Sequence, residues 1–400
     1  MKKLSIVILV LLMAVPAMAE DWNFYGNVRM STWYESGKAA ALFNPHDNGD
    51  LNQTDSEFTW EMAGNSRIGA KVQHGNVEGV FEYGTGVNVR HLYAKWTPNG
   101  PDSWYILVGQ TYTPISSFFI SNQVYFEDED MDAEGIPYIG RKPQIQVGYK
   151  GLTVAFIQVT GISEKGTLYP NADGSFDFAA GVGLPGDVDV WLPKFEALYH
   201  LMLGANFMGD LYGGYQTWRI SNPLGGGDDL NVNSYIVGGA GNFTYGPMYF
   251  RGQVSYGQNW GDYDAYDNGL QHWGLPITIG AAPALTEDPS RSVLTLNLDA
   301  AGNPSYDIQN TYTFGIAGLV GYKLNDMLEF ELGTGYLQHD NDYFINKAKL
   351  NVYYLNATIT LAKGIFIVPE VGYYDLHDRL DSDRDAESFW YAGAKWQINF

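Results

Sequence analysis

The segment EFTWEMAGNSRIGAKVQ, residues 57–73, changes character at almost every step. Its even positions are Phe58, Trp60, Met62, Gly64, Ser66, Ile68, Ala70 and Val72. Its odd positions include Glu57, Thr59, Glu61, Asn65, Arg67, Lys71 and Gln73. A period of two marks a β-strand, because successive side chains leave opposite faces. An amphipathic helix would space its apolar residues three and four apart. The alternation also outlasts an ordinary strand of ~5–6 residues and exceeds the ~9–11 needed to cross a hydrocarbon layer. One face suits lipid and the other carries charge. The charged face must look inward, since an arginine turned to lipid at mid-depth costs about 2–4 kcal/mol.

The same design recurs along the chain. Trp22–Glu35 sets Phe24, Val28, Met30 and Tyr34 against Asn23, Asn27, Arg29 and Ser31. Met248–Gln258 sets Phe250, Val254 and Tyr256 against Arg251, Gln253 and Ser255. Tyr306–Lys323 reads as one strand, with Tyr312, Phe314, Ile316, Val320 and Tyr322 opposite Thr311, Thr313 and Lys323. Met327–Gln338 opposes Leu328, Phe330, Leu332 and Tyr336 to Glu329 and Glu331. The last segment opposes Trp390, Ala392, Ala394, Trp396, Ile398 and Phe400 to Tyr391, Lys395, Gln397 and Asn399. In 153–163, 211–221 and 348–361 both parities mix polar and apolar residues, and the register is not readable.

Connection lengths alternate. Short ones fall at 97–103, Lys150-Gly151, Met208-Gly209-Asp210, Gly246-Pro247, Asn325-Asp326 and Lys363-Gly364; long ones at 36–56, 113–140, 164–192, 261–304 and 379–387. Gly84-Thr85-Gly86 is a tight turn on the long-loop side. This rhythm predicts an all-β fold: a transmembrane antiparallel β-barrel of about 16 strands, one domain over residues 20–400. An even strand count returns both ends to the same side.

The ends and the composition agree with a barrel. Lys2 and Lys3, the apolar run Leu4 to Val15, Pro16, and Ala17-Met18-Ala19 before Glu20 read as a signal peptide over residues 1–19. No later run approaches the ~18 apolar residues of a membrane helix. Cysteine is absent, so an exported chain of this kind carries no disulfide framework. Mean hydropathy is −0.20. A barrel returns such a soluble-looking average because half of each strand faces water. The net charge of −22 argues against a nucleic-acid partner, which would call for a basic footprint.

Several motifs, taken in order, resemble the general diffusion porins of Gram-negative bacteria. Asn65-Ser66-Arg67-Ile68-Gly69-Ala70-Lys71 is similar to that family's second strand. Val89-Arg90-His91-Leu92-Tyr93-Ala94 looks like its fourth. Val108-Gly109-Gln110-Thr111-Tyr112-Thr113-Pro114 looks like the fifth strand running into the third loop, and Arg141 opens a strand ending at Gly148-Tyr149. The terminal strand closed by Phe400 resembles the signal read by the barrel-assembly machinery. The resemblance implies a third external loop, 113–140, that folds inward as the constriction. It would carry Glu127, Asp128, Glu129, Asp130, Asp132 and Glu134 opposite a wall of Arg29, Arg67, Arg90 and Arg141. Parity places Arg29 and Arg67 inside independently, whereas an inward Arg90 would send His91 outward. The family pattern further implies a homotrimer in the outer membrane, with lipid and lipopolysaccharide around it. The chain departs from that pattern at Gln110 and Thr111, where many members have Arg-Gln, and in the second external loop, reduced here to Gly84–Gly86.

The expected function is passive diffusion of small hydrophilic solutes and ions, with a modest cation preference from the acidic excess. The alternatives are a substrate-selective channel and a structural or adhesive surface barrel, and the acidic run can also be read as a solvated surface loop. Trp22, Tyr34, Trp60, Tyr93, Trp96, Tyr336, Tyr373, Tyr374, Trp390 and Trp396 read as interfacial anchors. No enzyme is expected: His46, His74, His91, His200, His272, His339 and His377 are scattered, with no evident nucleophile and orienting partner. No cofactor or metal is expected either. Asp381, Asp383, Asp385 and Glu387 lack the turn glycine of a calcium loop, and no Lys-Ser/Thr follows Gly225-Gly226-Gly227 as a phosphate cradle would require.

Overall fold

A computed structural model describes residues 22–36, 57–86, 88–100, 103–115, 121–125, 131, 134–160, 167–170, 176–179, 187–221, 228–265, 276–277, 285–286, 290–298, 304–341, 347–376 and 388–400. Sixteen antiparallel strands close into a barrel, as expected. They are β1 (Trp22–Glu35), β2 (Glu57–Met62 and Arg67–His74), β3 (Val77–Gly84), β4 (Val89–Trp96), β5 (Tyr105–Tyr112), β6 (Arg141–Tyr149), β7 (Leu152–Ile157) and β8 (Asp187–Asp189 and Lys194–Leu203). There follow β9 (Phe207–Ser221), β10 (Leu230–Tyr245), β11 (Met248–Gln258), β12 (Tyr312–Lys323), β13 (Leu328–Asp340), β14 (Ala348–Ala362), β15 (Ile365–Leu376) and β16 (Phe389–Asn399). Each pairs with its neighbours in sequence, and β1 pairs with β16 from Asn27↔Asn399 to Glu35↔Tyr391. The Phe400 and Gly26 backbones exchange two hydrogen bonds of 2.9 and 3.0 Å at that seam. Closure matters energetically, because an open edge in hydrocarbon would strand a row of unpaired amides and carbonyls.

The alternation read from the sequence holds in space. Phe58, Trp60, Met62 and Ile68 of β2 are exposed on the outside, as are Trp390, Trp396 and Ile398 of β16. So large an apolar surface is unsuited to water and suited to a bilayer. Two connections differ from the expectation. The turn placed at Met208–Asp210 falls at 204–206, where Gly204 takes a positive φ of 69°. Asp210 instead belongs to β9 and pairs with His200 Nδ1 at 2.7 Å. The strand expected over Tyr306–Lys323 is two elements. Pro304–Gln309 joins Val293–Leu298, Thr167–Pro170 and Phe176–Ala179 in a separate four-stranded sheet. The chain then passes to the wall at Thr311, whose amide donates to Asn259 Oδ1 at 2.8 Å. Tyr93 and Tyr374 are not interfacial anchors. Tyr93 donates to the inward carboxylate of Glu78 at 3.2 Å, and Tyr374 is buried on the inner face.

Inner aromatics share a local rule. Tyr105↔Gly148, Tyr212↔Gly238, Tyr249↔Gly321, Tyr354↔Gly333, Tyr391↔Gly372 and Trp33↔Gly393 are directly opposed cross-strand pairs. In each, a Cβ built on the glycine would collide with the ring. The ring lies flat over the place a side chain would occupy.

Candidate functional site

Four strands bring the expected basic residues together. Arg67 lies in the electrostatic field of Arg29 and Arg141, and Arg90 in that of Arg141 and Arg67. Glu82 of β3 sits among them: Arg90 Nε is 2.8 Å away, Arg67 Nη1 3.6 Å and His91 Nε2 3.8 Å. Tyr25 donates to its other oxygen at 3.0 Å. Arg141 donates to the Tyr112 hydroxyl at 2.8 Å and stacks over the same ring.

Two irregularities in the ladder shape this group. The β1–β2 register steps from Met30↔Met62 to Asn27↔Arg67, so β2 holds two extra residues. An even insertion preserves parity, which explains why the alternation survives across Ala63–Ser66. Ser66 repairs the break: its hydroxyl accepts from the Arg29 amide at 2.9 Å and donates to the Arg29 carbonyl at 3.2 Å. The second irregularity lies between β3 and β4, where Glu82↔His91 is followed by Tyr83↔Val89. One residue is inserted in β4, so Arg90 and His91 both turn inward. The expected conflict between them does not arise.

A second group faces inward from β8, β13 and β15, and here carboxylates receive main-chain amides of the 113–140 segment. Glu331 accepts from the Asn122 amide at 2.6 Å and from the Tyr249 and Tyr354 hydroxyls at 2.7 and 2.6 Å. Glu370 accepts from the Val124 and Tyr125 amides at 2.9 and 3.0 Å, Asn356 at 2.9 Å and Tyr391 at 2.9 Å. Glu196 accepts from the Ile115 amide at 3.0 Å. Bonds to a charged acceptor are each worth about 1.5–3 kcal/mol net. The Tyr125 ring stacks on Tyr391 at 3.7 Å and meets Trp33 edge-on at 5.3 Å.

Of the six expected loop acids, Glu127, Asp128, Glu129, Asp130 and Asp132 lie outside the described residues. Glu134 is 3% exposed and accepts the Tyr374 hydroxyl. Burial pushes its carboxyl up from 4.5 to about 8; nearby Glu370 acts in the same direction, while bonds from Tyr374 and Gln123 oppose. The folded protein therefore keeps a proton that the unfolded chain releases. This contribution to stability is full below about 4.5 and is lost as pH rises through about 8. Heat resistance of the folded barrel, followed by its mobility on unheated gels, will fall between about pH 5 and about pH 9. Glu134→Gln will flatten that dependence; an equal slope in the variant would place the titration elsewhere.

Sequence reasoning missed Glu82, Glu196 and Glu370. A parity reading of Val77–Gly84 would have set Glu82 opposite Phe81 and Tyr83, and one of 365–376 would have set Glu370 on the face of Tyr374.

This geometry defines a class: a closed sixteen-strand barrel, apolar outside and charged within, of the outer-membrane porin fold. The chain is similar to the outer membrane channel DcaP of Acinetobacter baumannii, at 18% identity over 96% of this chain and 98% of that one, TM-score 0.63. It is also similar to outer-membrane expressed OmpT of Vibrio cholerae, at 14% identity over 96% and 98%, TM-score 0.54. A third likeness is to an anion-selective porin from Comamonas acidovorans, at 12% identity over 95% and 100%, TM-score 0.51. These likenesses establish the fold. No protein-family model matches the chain, and no curated protein does.

Proposed function

We propose that the protein is an outer-membrane channel for passive diffusion of small hydrophilic solutes and ions. The observation that carries this reading is the convergence of Arg29, Arg67, Arg90 and Arg141 on one inner wall, while amides of 113–140 bond the carboxylates of another. In this reading the third loop folds inward and narrows the passage. Glu127, Asp128, Glu129, Asp130 and Asp132 supply its acidic charge, and Glu134 anchors it. Acids on the loop and arginines on the wall set up a transverse field that orients water and dipolar solutes. The net charge of −22 supports a modest preference for cations. The same proposal includes export through the signal peptide of residues 1–19, recognition of Phe400 by the barrel-assembly machinery, and a homotrimer among lipid and lipopolysaccharide.

Planar-bilayer recording tests it. The purified protein will give steady ohmic openings, with graded neutral sugars defining a size limit. Replacing Asp128, Asp130 and Asp132 by Asn will lower cation preference in a salt gradient. Arg67→Ala will enlarge conductance and strengthen that preference. A chain that folds but never conducts sinks the proposal, and an unmoved reversal potential removes the acidic run from the constriction.

A second reading, a channel selective for a solute bearing an anionic group, has one observation in its favour. Arg67, Arg90 and Arg141 converge there and, among the described residues, Glu82 pairs with the first two; a guanidinium cluster of this kind suits an anionic group. Saturable flux of one anionic solute would separate it from general diffusion.

A further inference from the structure

The residues that immediately follow β11, Asn259–Ala265, form a compact turn. Tyr263 N donates to Asn259 O at 2.9 Å and Ala265 N to Trp260 O at 2.9 Å. Asn259 and Asp264 hold positive φ angles of 53° and 65°. Asn259, Trp260, Asp262, Tyr263 and Ala265 have no solvent exposure at all. That is unusual for the start of a long external connection, because loops normally run over the surface.

Its partners are of two kinds. The inner wall grips it: Gln216 donates to the Asp262 carbonyl at 2.6 Å, and buried Lys194 donates to the Tyr263 carbonyl at 2.5 Å. Gly214 leaves the space the Tyr263 hydroxyl occupies, since a Cβ there would overlap it. The turn in turn holds the 113–140 segment and its exit. Tyr263 donates to Glu196 at 3.2 Å, the same carboxylate that accepts from the Ile115 amide. Tyr138 N donates to the Ala265 carbonyl at 3.1 Å, and Lys142 Nζ lies 2.6 Å from Asp264 Oδ2. The same turn therefore reaches both the entry and the exit of the third loop.

We propose that the turn Asn259–Ala265 is a clamp that positions the third loop, with Asp264 and Tyr263 as its positioning residues. The inference rests on reading that loop as the constriction. It means that pore width is set by the sixth connection as well as the third. The wall alone does not hold the exit arm: the Tyr138 amide finds its acceptor on the turn, and Lys142 of β6 pins the turn to the wall beside it.

The test uses the full-length protein in planar bilayers. Asp264→Lys sets two ammonium groups against each other and will raise single-channel conductance by about twofold, with flickering openings. Mobility on unheated gels will stay that of the folded barrel. The charge swap Lys142→Asp with Asp264→Lys will restore quiet, wild-type openings, which a general loss of packing would not allow. Wild-type conductance and noise in Asp264→Lys would overturn the clamp and leave the channel reading intact; a wild-type protein that never conducts would overturn both. Because the chain has no cysteine, Tyr138→Cys with Ala265→Cys adds a second arm that spares the ion pair. Oxidation will cross-link the two and leave conductance unchanged, since the segments already abut. Failure to cross-link in a folded, conducting protein would likewise overturn the clamp.

Discussion

If the proposed channel is right, Gly335→Val will raise its single-channel conductance. Gly335 lies on the inner face of β13, and a Cβ there would overlap the carbonyl oxygen of Glu134 and press on Met131 Cε at 2.7 Å. On the adjacent strand, Gly315 stands against the backbone of Gly135 in the same way. The two glycines make a seat for the loop's main chain. A backbone cannot turn aside as a side chain can, so Glu134 and Gly135 must lift away. Keeping both groups in place would cost about 1–3 kcal/mol of overpacking. The expected result is a higher single-channel conductance and passage of larger neutral sugars, from a barrel that still migrates as folded. Gly318→Ala on β12 is the control, because its Cβ would meet nothing nearer than 3.8 Å. Wild-type conductance and sugar limit in a folded Gly335→Val protein would show that this seat does not border the passage.

Glu370→Ala should produce the largest loss of stability. Its carboxylate receives the Val124 and Tyr125 amides, the Asn356 side chain and the Tyr391 hydroxyl, all within 3.0 Å. Truncation leaves these donors buried without an acceptor, at about 1–3 kcal/mol each. The cost falls on the loop before the barrel, whose ladder is untouched. Open-channel noise will therefore rise at temperatures where the barrel remains folded, and the temperature of unfolding will drop as well. Glu370→Gln, with one acceptor oxygen kept and an NH2 turned toward donors, will fall between. Heat resistance in Glu370→Ala equal to wild type would mean that water replaces the carboxylate at no loss.

Strands were legible in the sequence where hydrocarbon lies on one side and water on the other. Glu57–Gln73 and Trp390–Phe400 are of this kind, and Phe58, Trp60, Met62, Ile68, Trp390, Trp396, Ile398 and Phe400 of their outer parity are exposed. Two of the three stretches whose register could not be read share a different environment. Tyr212, Trp218 and Ile220 of β9 and Leu350, Val352 and Tyr354 of β14 are buried on the inner face against protein. With apolar neighbours on both sides, the alternation fades. Arg29 and Arg67 could be assigned because a misplaced guanidinium is costly. Arg90 could not, because a bulge is a one-residue insertion that no parity count reveals. Glu82, Glu196 and Glu370 were hidden for another reason: their partners are main-chain amides or residues distant in sequence, and neither leaves a motif.

The glycines beneath the inner aromatics bear on how the barrel finds its rungs. A slip of one rung turns every side chain to the wrong face, and the solvent rejects it. A slip of two keeps the faces right and would escape that filter. The ring–glycine pairs catch it: two rungs away from Gly372, Tyr391 would meet Glu370 or Tyr374. Six such notches around the wall amount to a proofreading key, cut so that each notched pair of strands fits in one position.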